Sequence, residues 1–504
     1  MSEAVLDWWE YHEGRRCALA AWHHHRQRAG GERPSFDGDE ARDRLRGLAQ
    51  QQWPGGQDTW TTGPTEADLD ERTRRLIASG ATAIFRATIT AGGTSLVVDV
   101  LERTAQGSWC AVLLSTRYGL DRFLVEQAAL TLHVLQAASI PVAGVHLVHV
   151  DADYRKGKGP IEPEAFLVRR SLTIRAARAK ARVVSAMAVL TDIAAEAVPP
   201  DVPRGTHCRA CTFTDRCVET LPADWTGRYP TEAGTSADVW LARGYERMGD
   251  VPADEPMGAP RRRARLASRT GRIVVDPALP QVLEACRPPV WYLDFECVWS
   301  LLPVFEGTAP AQHVPFLWSL HHVDEEGRLT HLDEIVPPGP DPRRRMAESL
   351  VEAVGAYHEP IVVYGDYEAE RIGELAALFP DLAPALERIR GRIVDLLAVI
   401  RDHVYDLQFR GNFSLKAVGP VLAPGLTYRE LAIRDGLTAA RAYARLLYLP
   451  EVTPDDVETT LADLRAYCER DTLALVDVHR TLMNLAQGAT MTAEGEERYP
   501  VVQV

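Results

Sequence analysis

The chain has 504 residues, of which 46% are hydrophobic and 25% charged, a balance that suits packed cores in two or three domains and excludes a disordered polymer. No run of roughly 18 apolar residues occurs, so no transmembrane helix is expected. The net charge of −14 excludes a blanket electrostatic hold on nucleic acid, although divalent cations and a local basic groove can offset phosphate charge.

The start, Met1-Ser2-Glu3-Ala4, lacks the basic and apolar segments of a secretion signal, and the thiol usage fits a reducing compartment, so a cytoplasmic location is expected. In chain order, His23-His24-His25 lies within an early helical pattern, and Leu96-Val97-Val98-Asp99-Val100 reads as a strand carrying one acid. Residues 109–116 form the next strand pattern, and 127–135 a helix. Cys208, Cys211 and Cys217 place three thiols within ten residues, with Cys17 far upstream. Four such thiolates can hold an iron–sulfur cluster or a tetrahedral zinc ion. Cys110, Cys286, Cys297 and Cys468 are scattered and read as small buried hydrophobes. Residues 225–285 mix Pro, Gly and charge and read as a helical connector. Its basic stretch around Arg261, Arg262, Arg263 and Arg265 reads either as a solvated helical face or as a track for a phosphate backbone. From 286 to 490, strand patterns at 290–293, 316–322 and 361–363 alternate with helices such as 343–357, which fits a mixed α/β sheet. Residues 491–504 form a tail.

The last third carries the chemistry. Asp294 and Glu296 are two apart on a strand and so share a face; Tyr467 and Asp471 are four apart on a helix and so lie one turn apart on one side. Between them, Tyr364-Gly365-Asp366-Tyr367-Glu368 follows a short strand and opens a helix. Hydrolysing a phosphodiester needs an activated water and a stabilised leaving oxyanion, and two Mg²⁺ or Mn²⁺ ions held by carboxylates supply both. A nearby tyrosine hydroxyl can orient the water. Lys416 and Arg410 are the candidate phosphate contacts, and Trp299 with Phe305 the candidate stacking pair for a terminal base.

These residues resemble the DEDD exonucleases of the RNase H-like fold, tyrosine branch. Asp294 and Glu296 match the first motif, and Tyr467 and Asp471 the last. The middle motif departs: Tyr364 stands where Asn is usual and Glu368 where Asp is usual, with Asp366 a possible substitute. Residues 289–485 look like an uncharacterised bacterial family of that superfamily, through Leu293-Asp-Phe-Glu296, Tyr364-Gly-Asp-Tyr-Glu368, Arg392-Ile-Val-Asp-Leu-Leu397, Ser414-Leu-Lys416 and Tyr467-Cys-Glu-Arg-Asp471. That likeness adds Asp395, whose other reading is a helix N-terminal carboxylate.

The cysteine layout resembles RecB-like PD-(D/E)xK nucleases in which an early cysteine and three late ones clasp a [4Fe–4S] cluster; the resemblance favours the cluster over zinc. Asp99 matches that family's metal-binding acid. Leu113 and Ser115 stand where Glu and Lys are usual, Thr131 and His133 where Gln and Tyr are common, and Arg86 where an upstream acid is often found. The resemblance implies an α/β chain: residues 1–224 a RecB-like domain that binds without cutting, 286–490 an RNase H-like exonuclease domain. The implied activity is 3′-to-5′ hydrolysis of nucleic acid, DNA favoured over RNA, with a helicase or another repair or antiphage defence protein as a possible partner and no membrane. The alternative is an inactive nucleic-acid-binding scaffold subunit.

Overall fold

The computed structural model of the chain describes residues 5–29, 39–60, 65–218, 221–229, 236–448, 452–488 and 502–503. Most of the tail expected at 491–504 therefore lies outside the described residues. The chain divides into two units, Met1–Asp215 with Ser300–Gln312, and Arg216–Trp299 with His313–Val504. The stretch read as a connector and the stretch read as a catalytic domain share the second unit. Both units are α/β, with sheets that mix parallel and antiparallel pairs. Among the described residues no helix is long and apolar enough to cross a membrane.

The first unit is built on a six-stranded sheet whose strands lie in chain order: Gln57–Asp58, Ala83–Ala91, Thr94–Arg103, Trp109–Ser115, Val142–Val150 and Leu167–Ser171. The first and fourth neighbouring pairs are parallel and the others antiparallel. Trp109–Ser115 is buried at every position, the apolar run of a strand covered on both faces. Helices Arg122–Ala137 and Thr173–Ala195 pack on one face through Leu124, Ala128, Leu135 and Val183; Leu45 and Leu48 of Asp39–Gln50 pack on the other with Val100, Val112 and Leu114. Ser300–Gln312 joins this unit because Leu301 enters that second core and Thr308 O accepts the Lys156 N–H at 3.0 Å.

The second unit's main sheet runs Leu329–Ile335, Val314–Val323, Val290–Val298, Ile361–Val363, Ile393–Asp395, the first three antiparallel and the last two parallel. Strand alternation decides what the central strand offers each side. Trp291, Leu293, Phe295 and Cys297 enter a core with helices Arg343–Val354, Tyr367–Leu378 and Ala383–Arg390. Tyr292 enters the other core, which includes Leu475, Val478 and Leu482 of the long helix Pro454–Ala486. Asp294 and Glu296 are in phase with Tyr292 and face that helix.

The arginine-rich stretch forms helix Ala259–Thr270 and corrects the reading as a phosphate track. Arg261 and Arg263 are buried: Arg261 lies 4.9 Å from the Trp240 ring centroid, and Arg263 donates to Arg401 O at 2.8 Å. Arg262 donates to Met257 O at 2.7 Å. The Arg261 and Arg263 guanidinium groups are thus spent inside the unit, while Arg262 is exposed.

Candidate metal centre

Four carboxylates from three elements converge beneath the central strand. Asp294 Oδ2 accepts the Cys468 thiol at 3.3 Å, and single ligand atoms of Asp294, Glu296 and Cys468 all lie within 4.8 Å of one another. Asp471, three residues beyond Cys468 and four beyond Tyr467, accepts hydrogen bonds from the Tyr428 and Tyr467 hydroxyls. Glu368 arrives from the first turn of Tyr367–Leu378, only 4% exposed, and its Oε2 has no hydrogen-bond partner among the described residues. The turn that delivers it passes through Gly365 at φ 107°, a left-handed conformation that favours glycine.

Burial without an arginine partner makes this cluster unhappy as four anions. Asp294 is held far above the usual carboxylate range first by burial and then by Asp471, Glu296 and Glu368. Glu296 is raised by burial and Asp471, with Lys416 opposing. Burial pushes Glu368 up to about 8, with Asp395 and Asp366 adding to it. Asp471 is raised by burial and eased by the two tyrosine hydroxyls and Lys416. A buried acidic set carrying an orphaned oxygen is a donor set that suits hard divalent cations.

The expected phosphate contacts part company. Lys416, at the start of helix Leu415–Leu422, donates Nζ to Tyr467 Oη at 3.1 Å and to Arg434 O at 2.7 Å, and lies 5.2 and 5.7 Å from the Tyr467 and Tyr428 ring centroids. Arg410 is an exposed left-handed residue at φ 51° whose charge is felt by Arg228, and no contact among the described residues ties it to the acids. Asp395 Oδ1 accepts the N–H groups of Leu397 at 2.8 Å and Gly365 at 2.7 Å. It caps helix Leu396–His403 and at the same time pins the turn ahead of Glu368. Asp366 is exposed at the N-cap of the Glu368 helix. Trp299 and Phe305 fall in different units: Trp299 stacks on His313 at 4.9 Å, while Phe305 is 7% exposed in the first unit. Sequence reasoning passed over Cys468 as a plain hydrophobe and did not single out Tyr428. Cys468 was legible in retrospect, one residue after Tyr467 and three before Asp471; nothing in the local sequence marks Tyr428.

In the first unit Asp99 is 1% exposed and already engaged. Arg42 Nη2 lies 3.0 and 2.9 Å from its two oxygens, Arg46 Nη2 is 3.6 Å away, and the Leu114 N–H donates at 2.8 Å. The Arg42 guanidinium thus stands directly against the carboxylate. Leu113 and Ser115 are buried strand residues that add no charge, and Arg86 is paired with Asp58. Cys17 comes to the Cys208–Cys211 loop: Arg16 donates to Ala210 O at 3.1 Å, and Cys17 and Cys208 both act on the Cys211 thiol, which burial raises first of all. Phe213 N–H donates to Cys211 Sγ at 3.4 Å. Cys217 belongs to the second unit, two residues past the division.

A family described as "Domain of unknown function (DUF2779)" matches residues 291–414, which include Asp294, Glu296, Glu368 and Asp395 and end before Lys416 and the long helix. A solved structure, "Crystal structure of SSO0001", is similar at 14% identity over 44% of this chain and 89% of its own, with a TM-score of 0.21. No curated protein matches the chain.

Proposed function

We propose that the second unit is a metal-dependent 3′-to-5′ exonuclease of the DEDD, RNase H-like kind, acting on nucleic acid with DNA preferred. The observation that carries this reading is the buried convergence of Asp294, Glu296, Glu368 and Asp471, with the orphaned Glu368 oxygen among them. These four would hold two Mg²⁺ or Mn²⁺ ions, which when bound supply Lewis acidity and a lowered pKa for a bound water. Tyr467 is kept protonated by burial and by the acids around it, so it orients a water through its hydroxyl rather than acting as a base. Lys416 fixes that hydroxyl and brings one positive charge to the acids. Asp395 positions the turn before Glu368.

The first unit, in this reading, is a RecB-like domain that holds substrate or a repair or defence partner without cutting, and its Cys17, Cys208 and Cys211 would join Cys217 as ligands of a [4Fe–4S] cluster. The Arg42–Asp99 pair supports the loss of cleavage there. The test is degradation of end-labelled single-stranded DNA and RNA with Mg²⁺ or Mn²⁺. Asp294→Ala is expected to lose activity by on the order of 10²-fold or more, and Asp99→Ala to keep it. A wild type that binds but cuts neither polymer would make the chain a binding scaffold.

A further inference from the structure

In the first unit, the edge strand Leu167–Ser171 and the helix Thr173–Ala195 that follows it concentrate positive charge in an acidic chain. Residues 167–191 hold Arg169, Arg170, Arg175, Arg178, Lys180 and Arg182 and no acid, against a net charge of −14 for the whole sequence. Half of these cations have partners. Arg169 donates to Glu102 at 2.6 Å and Lys180 to Gln136 at 2.7 Å, while Arg182 donates at 2.5 Å to Glu126, which Arg122 already holds at 2.8 Å. Arg170, Arg175 and Arg178 are exposed, and their side chains make no hydrogen bond or ion pair among the described residues.

Backbone geometry gathers the unspent cations on one side. Arg170 stands opposite Leu147, a residue of the core that the helix covers, so strand alternation turns Arg170 to the helix side of the sheet. On the helix, Ala176, Val183, Met187 and Leu190 are buried against that core. Arg175, Arg178 and Arg182 follow one another at three and four residues and therefore line one flank of the outer face. They span about 10 Å of helix, the length over which one strand of a duplex presents about three phosphates. None of these residues touches Asp99, which is held from other elements by Arg42, Arg46 and Leu114.

The face lacks what other partners need. Residues 167–191 hold no Trp, Tyr or Phe on which an unpaired base could stack. Its exposed large apolar side chains, Ile174 and Val189, stand about 22 Å apart along the helix, too far to form the apolar centre of a protein interface. Guanidinium groups with no competing acid match phosphate oxygens, and a duplex presents phosphates with its bases stacked away. We infer that this outer face binds the backbone of double-stranded nucleic acid without regard to sequence, through Arg170, Arg175 and Arg178, with Arg182 adding to the field. The inference rests on reading the chain as one that handles nucleic acid, and it names the form of the polymer that the first unit takes.

The experiment is fluorescence anisotropy of the full chain with a short labelled DNA duplex and with one of its strands, in EDTA so that no hydrolysis intervenes, over a series of salt concentrations. The wild type should bind the duplex more tightly than the single strand. A variant carrying Arg170→Gln, Arg175→Gln and Arg178→Gln, all at exposed positions, should fold as the wild type does by circular dichroism and bind the duplex roughly tenfold or more weakly. Its plot of log affinity against log salt should be shallower by about 2.7, the contribution of three phosphates. The same three positions changed to Lys, which keeps the charge, should restore most of the salt slope. The proposal is overturned if the duplex is not bound, if the single strand is bound more tightly, or if the Gln variant binds the duplex with the wild-type affinity and slope. It is equally overturned if sedimentation shows that the three arginines hold a second copy of the chain instead. Cleavage is measured separately with Mn²⁺, so a chain that binds a duplex through these arginines and cuts nothing contradicts the exonuclease reading alone.

Discussion

Glu368 shows how a single residue can be chosen against stability. Its carboxylate is buried beside other acids, and its pKa is raised from the ordinary value of 4.5 to about 8. Between those two values the folded, metal-free protein binds the proton more tightly than the unfolded chain does. The stabilising contribution is therefore complete below about 4.5 and is lost as pH rises through about 8. One pK unit is worth about 1.4 kcal/mol, so the loss is on the order of a few kcal/mol. In EDTA, thermal unfolding of the wild type should show stability falling over that window, and Glu368→Gln should flatten the fall and melt higher at pH 8. Added Mn²⁺ should restore the wild type more than the variant, and the variant should lose cleavage. A variant that melts like the wild type at pH 8 in EDTA would mean that this carboxylate carries no electrostatic strain.

At the scale of the element, the long helix Pro454–Ala486 brings Tyr467, Cys468 and Asp471 to the centre, and part of its seating on the sheet is polar. Thr472, fully buried next to Asp471, exchanges hydrogen bonds with Ser319 Oγ and His321 Nδ1, both at 2.8 Å, and also bonds to Glu469 O at 3.0 Å. Thr472→Val keeps the volume and takes the hydroxyl away from His321 Nδ1, while Ser319 Oγ keeps His331 Nε2 at 2.9 Å, a cost of about 1–3 kcal/mol by chemical denaturation. Because the shift is felt at Asp471, cleavage should fall with it. Full activity at the lower stability would show that the helix is held by its apolar contacts alone. This seating was not legible in sequence, since hydrogen bonds between strand and helix depend on register that no local pattern reports. Short-range arithmetic was legible: residues two apart on a strand and four apart on a helix did place Asp294 with Glu296 and Tyr467 with Asp471. The strand expected at 361–363 occurs as Ile361–Val363, and the helix expected at 343–357 as Arg343–Val354. The arginine-rich helix misled because a run of like charges reads as solvent-facing, whereas Arg261 finds Trp240 and Arg263 a carbonyl only once the chain is folded.

At the scale of the molecule, two constellations lie far apart in sequence: buried acids in the second unit, and thiols of which Cys17, Cys208 and Cys211 lie in the first. Bringing Cys17 to Cys208 and Cys211 closes a loop of nearly 200 residues, and a metal group bound there would stabilise the folded state because no such site exists in the unfolded chain. Anaerobically purified protein should therefore be brown and contain iron, and a colourless, zinc-containing protein would overturn the cluster assignment. Cys17→Ser should bleach the protein and lower the first unfolding transition in calorimetry. The second transition and the rate of cleavage per folded molecule should stay as in the wild type, because every acid of the centre lies in the other unit. If cleavage instead vanished with the colour while the acids' Mn²⁺ binding persisted, the thiol site would have to act in the reaction itself, and the division of labour argued for the two units would be wrong.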